Sequence, residues 1–311
     1  MRFVVIFAQF PCQRLFRFLT PHIIGVMATP AHMPYTNQRR PAEQMREIAA
    51  EIRRDIVRSL VVAGSGHSGG PLGSSDIFAV LYLGGVMRYD PNEPFLEGRD
   101  RFVLSAGHMC PVLYATLANA GFFPRAELLT LRQFGSRLQG HPGRDMMLPG
   151  IETSSGSLGQ GLSIAVGMAM ADKLVDKNDA RVYSLTGDGE LQEGSIWEAV
   201  MSASHFGLDN FCMIVDNNDC QIDGRIGEVM NVYPLREKFE SFNFHVVECD
   251  GHDPDALLAA FDEAAATKGK PTCIIAQTYM GRGVSFMEDN YKWHGNPPNQ
   301  EQAAQALEEL G

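Results

Sequence analysis

Two short segments carry the strongest chemical signal. TGDGE places Asp188 between Gly187 and Gly189, and DNND sets Asn217 and Asn218 side by side further along the chain. Each follows an apolar run, Val182 to Leu185 and Phe211 to Val215, that reads as a buried strand. Magnesium takes oxygen ligands in octahedral geometry, usually one or two protein carboxylates completed by phosphates and water. Asp188 can supply the carboxylate and Asn218 an amide oxygen. The flanking glycines let a diphosphate approach the main chain, and the following helix start offers it N–H groups. Asp-Gly is also a common turn, and Asn-Asn an ordinary loop. Either segment alone carries little weight; the two together, each at a strand end, are specific.

Histidines form the second group. Four of the nine stand in glycine-rich loops: His67 (GSGHSGG), His108 (SAGHMC), His141 (QGHPG) and His294 (KWHGN). A single loop histidine is more often capped or solvated than catalytic. Four such loops among strand ends suit a site that moves protons near neutral pH.

These residues need a scaffold that gathers them. From Glu43 onward the pattern alternates helix and strand. Helical spacing runs from Glu43 to Val62 and is expected again over Asp76–Leu83, Pro111–Ala120, the stretch through Trp197, Pro254–Ala266 and Glu301–Leu310. Short apolar strands are expected at Arg101–Leu104, Val182–Leu185, Phe211–Val215, Phe244–Val247 and Cys273–Gln277. The fold class is therefore α/β, a doubly wound, mostly parallel sheet flanked by helices. Ligands in such folds bind at the carboxyl ends of the strands, where the polar and glycine-rich segments lie.

The composition narrows the function classes. With a formal net charge of −11 over 311 residues, the chain lacks the basic field that nonspecific nucleic-acid binding needs. No segment suggests membrane insertion: the apolar stretch Phe3–Phe10 is too short and is followed by Pro11. The six cysteines form no CxxC pair and read as free thiols of a reducing compartment, so the expected location is cytoplasmic. Residues 1–42 differ from the rest, with five arginines and no acid before Glu43. They read as a disordered leader or a wrongly assigned start, with Met27 or Met33 as the true one; an organellar targeting peptide is the alternative. Residues 43–311 form the folded domain.

The GDG, helix, strand, NN order resembles the diphosphate-binding signature of thiamine-diphosphate enzymes. The wider chain resembles transketolases. The matching segments are SGHSGGPLG (65–73), DRFVLSAGH (100–108), GHPGRD (140–145), SGSLGQGLSIAVGMA (155–169), GDGELQEGSIWEA (187–199), DNNDCQIDG (216–224) and WHG (293–295). They cover nearly the whole chain beyond the leader. The resemblance implies a thiamine-diphosphate-binding fold with thiamine diphosphate and magnesium as cofactors, calcium or manganese being able to substitute. It implies that Asp188, Asn218 and the main-chain carbonyl of Cys220 hold the metal. Gly189 and Asn218 would touch the diphosphate, and so would His108 and His294, with Gly156, Ser157 and Leu158 packing beside the cofactor. His67 and His294 would serve the substrate hydroxyl being deprotonated, and His141 the donor's terminal hydroxyl. Ser155 and Ser157 depart from the family's Thr and Pro, and Ser68 stands where many relatives have Pro. His22, His32, His205, His245 and His252 match no motif and read as structural.

The implied activity is transfer of a two-carbon ketol unit between sugar phosphates. No segment resembles the pyrimidine-binding domain of full-length relatives. The expected partner is thus a C-terminal transketolase subunit, in a heterotetramer of two copies of each chain. Glu193 and Glu198 would lie at the subunit interface, and Leu158–Met170 and Trp197–Phe206 would contribute apolar surface to it. Two other readings stand beside this one. The first is one chain of a related thiamine enzyme, such as a deoxyxylulose-phosphate synthase or one acting on an unusual sugar. The second is a non-catalytic paralogue.

Overall fold

The computed structural model describes residues 38–311. Most of the leader expected over 1–42 lies outside the described residues, as do Cys12, His22 and His32. Six helices of ten residues or more are found among the described residues: α1 (Ala42–Ala63), α2 (Cys110–Asn119), α3 (Gln160–Met170), α4 (Gly194–His205), α5 (Pro254–Ala266) and α6 (Gln300–Glu309). In α1, Met45, Ile48, Ile52, Ile56 and Leu60 recur at three- and four-residue spacing, so they share one face, and all are buried. Gly64 ends the helix at φ 62°, a left-handed cap that suits a residue without Cβ. Asn299 starts α6 with a capping box: it accepts the Gln302 N–H at 2.9 Å, and Gln302 Oε1 accepts the Asn299 N–H at 3.0 Å.

The same residues contain seven strands in chain order: β1 (Arg101–Leu104), β2 (Val182–Gly187), β3 (Phe211–Asn217), β4 (Cys220–Gln221), β5 (Gly224–Arg225), β6 (His245–Asp250) and β7 (Thr272–Gln277). Five make one sheet in the order β1-β2-β3-β7-β6, with every pair parallel. The parallel α/β sheet read from the sequence is the observed one. β4 and β5 form a separate antiparallel hairpin, which hydrophobic patterning did not reveal.

Both faces of the sheet are covered, which is why its central strands are continuously apolar. Along β3, Cys212 and Ile214 point into one core, with α1, α2, α5 and α6. Phe211, Met213 and Val215 point into the other, with α3, α4 and the short helix Leu235–Ser241. The helix expected over Asp76–Leu83 is instead an α-turn, Ser75–Phe78, continued by a π-turn, Ala79–Leu83. All the residues of both turns are buried, so no polar face marks a register that would show the widened turn. Cys110, Cys212, Cys220, Cys249 and Cys273 are free thiols. Among the described residues no helix is long and apolar enough to cross a membrane.

Candidate functional site

Parallel strands place all their carboxyl ends on one edge, and those of β1, β2 and β3 open into a cavity of about 310 Å³. Asp188 follows β2, Asn218 follows β3, and Cys220 begins the β4–β5 hairpin; all three line the cavity, as does Gly189. So do His67, His108, His141 and His294, and on the α3 side Gly156 and Leu158. Ser157 is the exception among the singled-out residues. It lies in an adjoining cleft of about 510 Å³ that also touches His141 and Gly156.

Asp188 is 1% exposed. Its Oδ1 accepts the Gly189 N–H at 2.8 Å and its Oδ2 the Asp219 N–H at 2.6 Å. Burial, then the nearby Asp216 carboxylate, push its carboxyl well above the usual range despite those two donors. The Asn218 amide has a defined orientation. Its Nδ2 donates to Asp216 Oδ2 at 3.0 Å, and its Oδ1 accepts the Cys220 N–H at 3.0 Å. Asp216 is itself fully buried and is held by the Ser74 hydroxyl at 3.0 Å and the Thr278 hydroxyl.

The histidines cluster as the sequence suggested. Ring centroids are 4.9 Å apart for His67–His108, 5.0 Å for His108–His294 and 5.6 Å for His67–His294. Ser68 contributes to this. Its hydroxyl donates to the carbonyls of Asn296 at 2.6 Å and Trp293 at 3.2 Å, so it clamps the His294 segment onto the His67 loop. A proline at position 68 would leave that clamp without its donor. Burial holds the His67 imidazole down at about 4, with His294, His141 and Arg132 adding to the effect. Burial likewise depresses His108, His141 and His294. All four rings are therefore neutral at pH 7. His252 matches its structural reading: Nδ1 lies 2.8 Å from Asp76 Oδ2, and Nε2 accepts the Tyr279 N–H at 2.9 Å.

The cavity fits a metal-bound diphosphate on three counts. Asp188 is a buried carboxylate that electrostatics disfavour without a cation nearby. Among the described residues no three His, Cys, Asp or Glu side chains converge as a metal cage, so a cation here would be completed by a ligand's oxygens, the habit of magnesium. The Nδ1 atoms of His67 and His294 are buried with no hydrogen-bond partner, and both residues line the cavity. Such orphaned atoms call for a polar ligand or water.

Sequence reasoning missed three residues. Glu190 and Asp216 sit inside the quoted motifs, but nothing in the letters shows what they hold. Arg132 carries no motif at all: it stands at a left-handed φ of 58°, and its charge helps depress His67 and His141. Glu193 and Glu198 are both exposed.

Residues 44–311 match the family model described as "Transketolase, thiamine diphosphate binding domain". The chain is 43% identical over 270 residues to a transketolase of Pongo abelii, covering 86% of this chain and 42% of that one. It is 42% identical over 258 residues to one of the subunits of an apulose-4-phosphate transketolase of Phocaeicola vulgatus, covering 83% of this chain and 90% of that one. Among solved structures, the transketolase of Leishmania mexicana superposes with a TM-score of 0.80 at 35% identity, over 88% of this chain and 42% of that one. The chain thus spans less than half the length of the full transketolases it matches. With that match running through the helices, the sheet and every loop of the cavity, the chain belongs to the transketolase family and carries its thiamine diphosphate binding domain.

Proposed function

We propose that this chain is the diphosphate-side subunit of a two-chain transketolase. The observation that carries the reading is the cavity itself, where a buried Asp188 and an oriented Asn218 face four neutral histidines at the carboxyl edge of the sheet. In this reading the Asp188 carboxylate, the Asn218 amide oxygen and the Cys220 main-chain oxygen hold a divalent cation, magnesium by preference. His108 and His294 and the Gly189 main chain receive the diphosphate. When bound, thiamine diphosphate supplies a nucleophilic carbon and an electron sink for a two-carbon ketol unit.

The proton chemistry belongs to this chain's side chains. Burial keeps His67 and His294 neutral, the state that can accept a proton from a donor sugar's hydroxyl and return it to the acceptor. Their unpartnered Nδ1 atoms are suited to that exchange. His141, at the join of the cavity and the adjoining cleft, is placed to meet the donor's terminal hydroxyl.

The partner chain would carry the pyrimidine-binding domain. Support comes from the Phocaeicola vulgatus relative, which is named as one of several chains of its enzyme and is matched over nearly its whole length. Exposed apolar residues beside the cavity add to it: Leu158, Ile164, Met201 and Phe206. That relative's name also favours a second reading, in which the donor is a less common sugar phosphate. The test is ketol transfer from xylulose 5-phosphate to ribose 5-phosphate with thiamine diphosphate and magnesium. The chain alone should be inactive and gain turnover when the partner is added, and a panel of ketose phosphates would identify the preferred donor. Turnover by the chain alone, free of partner, would refute the two-chain reading.

A further inference from the structure

Glu190 lines the cavity yet is only 2% exposed. Its carboxylate is divided among segments that leave different strands. Oε1 accepts the Ser105 hydroxyl at 2.5 Å and the Gly159 N–H at 2.7 Å, and Oε2 accepts the Gly187 N–H at 3.3 Å. Ser105 Oγ in turn accepts the Leu162 N–H at 3.1 Å. Ser105 belongs to the loop after β1 that carries His108. Gly159 caps α3 beside Leu158, and Leu162 lies in its first turn. Gly187 precedes Asp188.

Helix α3 has no side-chain cap of its own. Its first N–H groups, which an isolated helix leaves unsatisfied, are taken up from outside by Ser105 and Glu190. The fit is close: a Cβ on Gly161 would stand 2.6 Å from Ser105 Cα. A diphosphate gripped through loops binds best when the loops are ordered before it arrives, because ordering them costs binding free energy.

We propose that Glu190 is a positioning residue whose carboxylate locks the His108 loop, the start of α3 and the Asp188 loop into one frame; its consequence for ligand affinity rests on the diphosphate reading above. A glutamine keeps Oε1 for Ser105 and Gly159 but turns an amide toward the Gly187 N–H. An alanine removes all three links. The two substitutions therefore separate this role from a general contribution to folding.

The experiment is amide hydrogen exchange on the ligand-free full chain, paired with calorimetric titration of magnesium pyrophosphate. In Glu190→Ala, exchange should accelerate roughly tenfold or more over residues 105–108, 157–162 and 187–189, each having lost a charge-assisted hydrogen bond. The β3 core, residues 211–217, should keep its protection. In Glu190→Gln only 187–189 should open. Affinity for magnesium pyrophosphate should fall in the order wild type, Gln, Ala. The proposal is overturned if Ala opens only 187–190, if β3 opens equally, or if Gln opens all three segments. Should Ala fail to fold, the loop-selective pattern of Gln decides alone. Asp188→Ala is the control for the site: if it binds magnesium pyrophosphate as well as wild type, or if wild type does not bind, the diphosphate reading fails while the exchange pattern still decides Glu190.

Discussion

Removing the Asp188 charge should have opposite consequences with and without ligand. Its carboxyl is held well above the usual range, so ionisation of this buried group opposes folding at neutral pH. In Asp188→Asn that opposition disappears. One of the two main-chain N–H groups, on Gly189 or Asp219, then faces an amide NH2, a loss of about 1–3 kcal/mol. The two effects act against each other, so ligand-free stability should stay within about 2 kcal/mol of wild type. With magnesium and thiamine diphosphate the balance reverses. Deleting one partner of a buried ion pair costs about 3–5 kcal/mol, roughly a hundredfold to several thousandfold in affinity. Asp188→Ala should lose at least as much. Calorimetric titration of the assembled enzyme, together with thermal unfolding of the ligand-free chain, reads both effects. Near-wild-type cofactor affinity in either variant would refute the assignment of the metal to Asp188.

Three further outcomes follow from the geometry. His67 is neutral in the fold down to about 4, whereas an unfolded imidazole takes its proton near about 6.5. Ligand-free stability should therefore fall as pH drops from about 6.5 towards 4, and His67→Asn should flatten that slope in pH-dependent denaturant melts. Gly161→Ala sits in a helix, where alanine normally gains about 1 kcal/mol. Here the Cβ would strike Ser105, so the chain should instead lose about 1–3 kcal/mol, and a raised melting temperature would contradict the packing described. Adding the partner chain should slow hydrogen exchange around Ile164 and over Met201–Phe206, whose apolar side chains are exposed at Ile164, Met201 and Phe206; unchanged exchange in both would count against that interface.

The parallel sheet was legible because β2, β3 and β7 are short, apolar and bounded by polar turns. Helix α5 was legible to the residue, since Asp253 and Pro254 mark its start. The site was legible as far as its motifs reached: Asp188, Asn218 and the four loop histidines do line one cavity. What stayed hidden depends on partners distant in the chain. Ser105 and Glu190 meet across 85 residues, and the Ser68 hydroxyl meets carbonyls more than 200 residues away. Ser68 could be seen as a departure from the family pattern, but its role as a clamp required the fold. Trp197 is a case where local reading misplaced a side chain. It was grouped with the partner-facing stretch, yet its ring packs on Phe239 and Phe242 and its indole N–H donates to the Leu191 carbonyl, while Met201 and Phe206 stay exposed. Helical spacing does not distinguish a ring turned onto the chain's own short helix from one turned outward.

The central claim, that the strand-end cavity holds a metal-bound diphosphate, is tested most directly by crystallography. Crystals of the chain with its partner, grown with thiamine diphosphate and manganese, should give an anomalous manganese peak between the Asp188 carboxylate, the Asn218 amide oxygen and the Cys220 carbonyl. The diphosphate should lie against it, beside His108 and His294. A manganese peak elsewhere, or a bound cofactor whose diphosphate lies away from Asp188, would contradict the account.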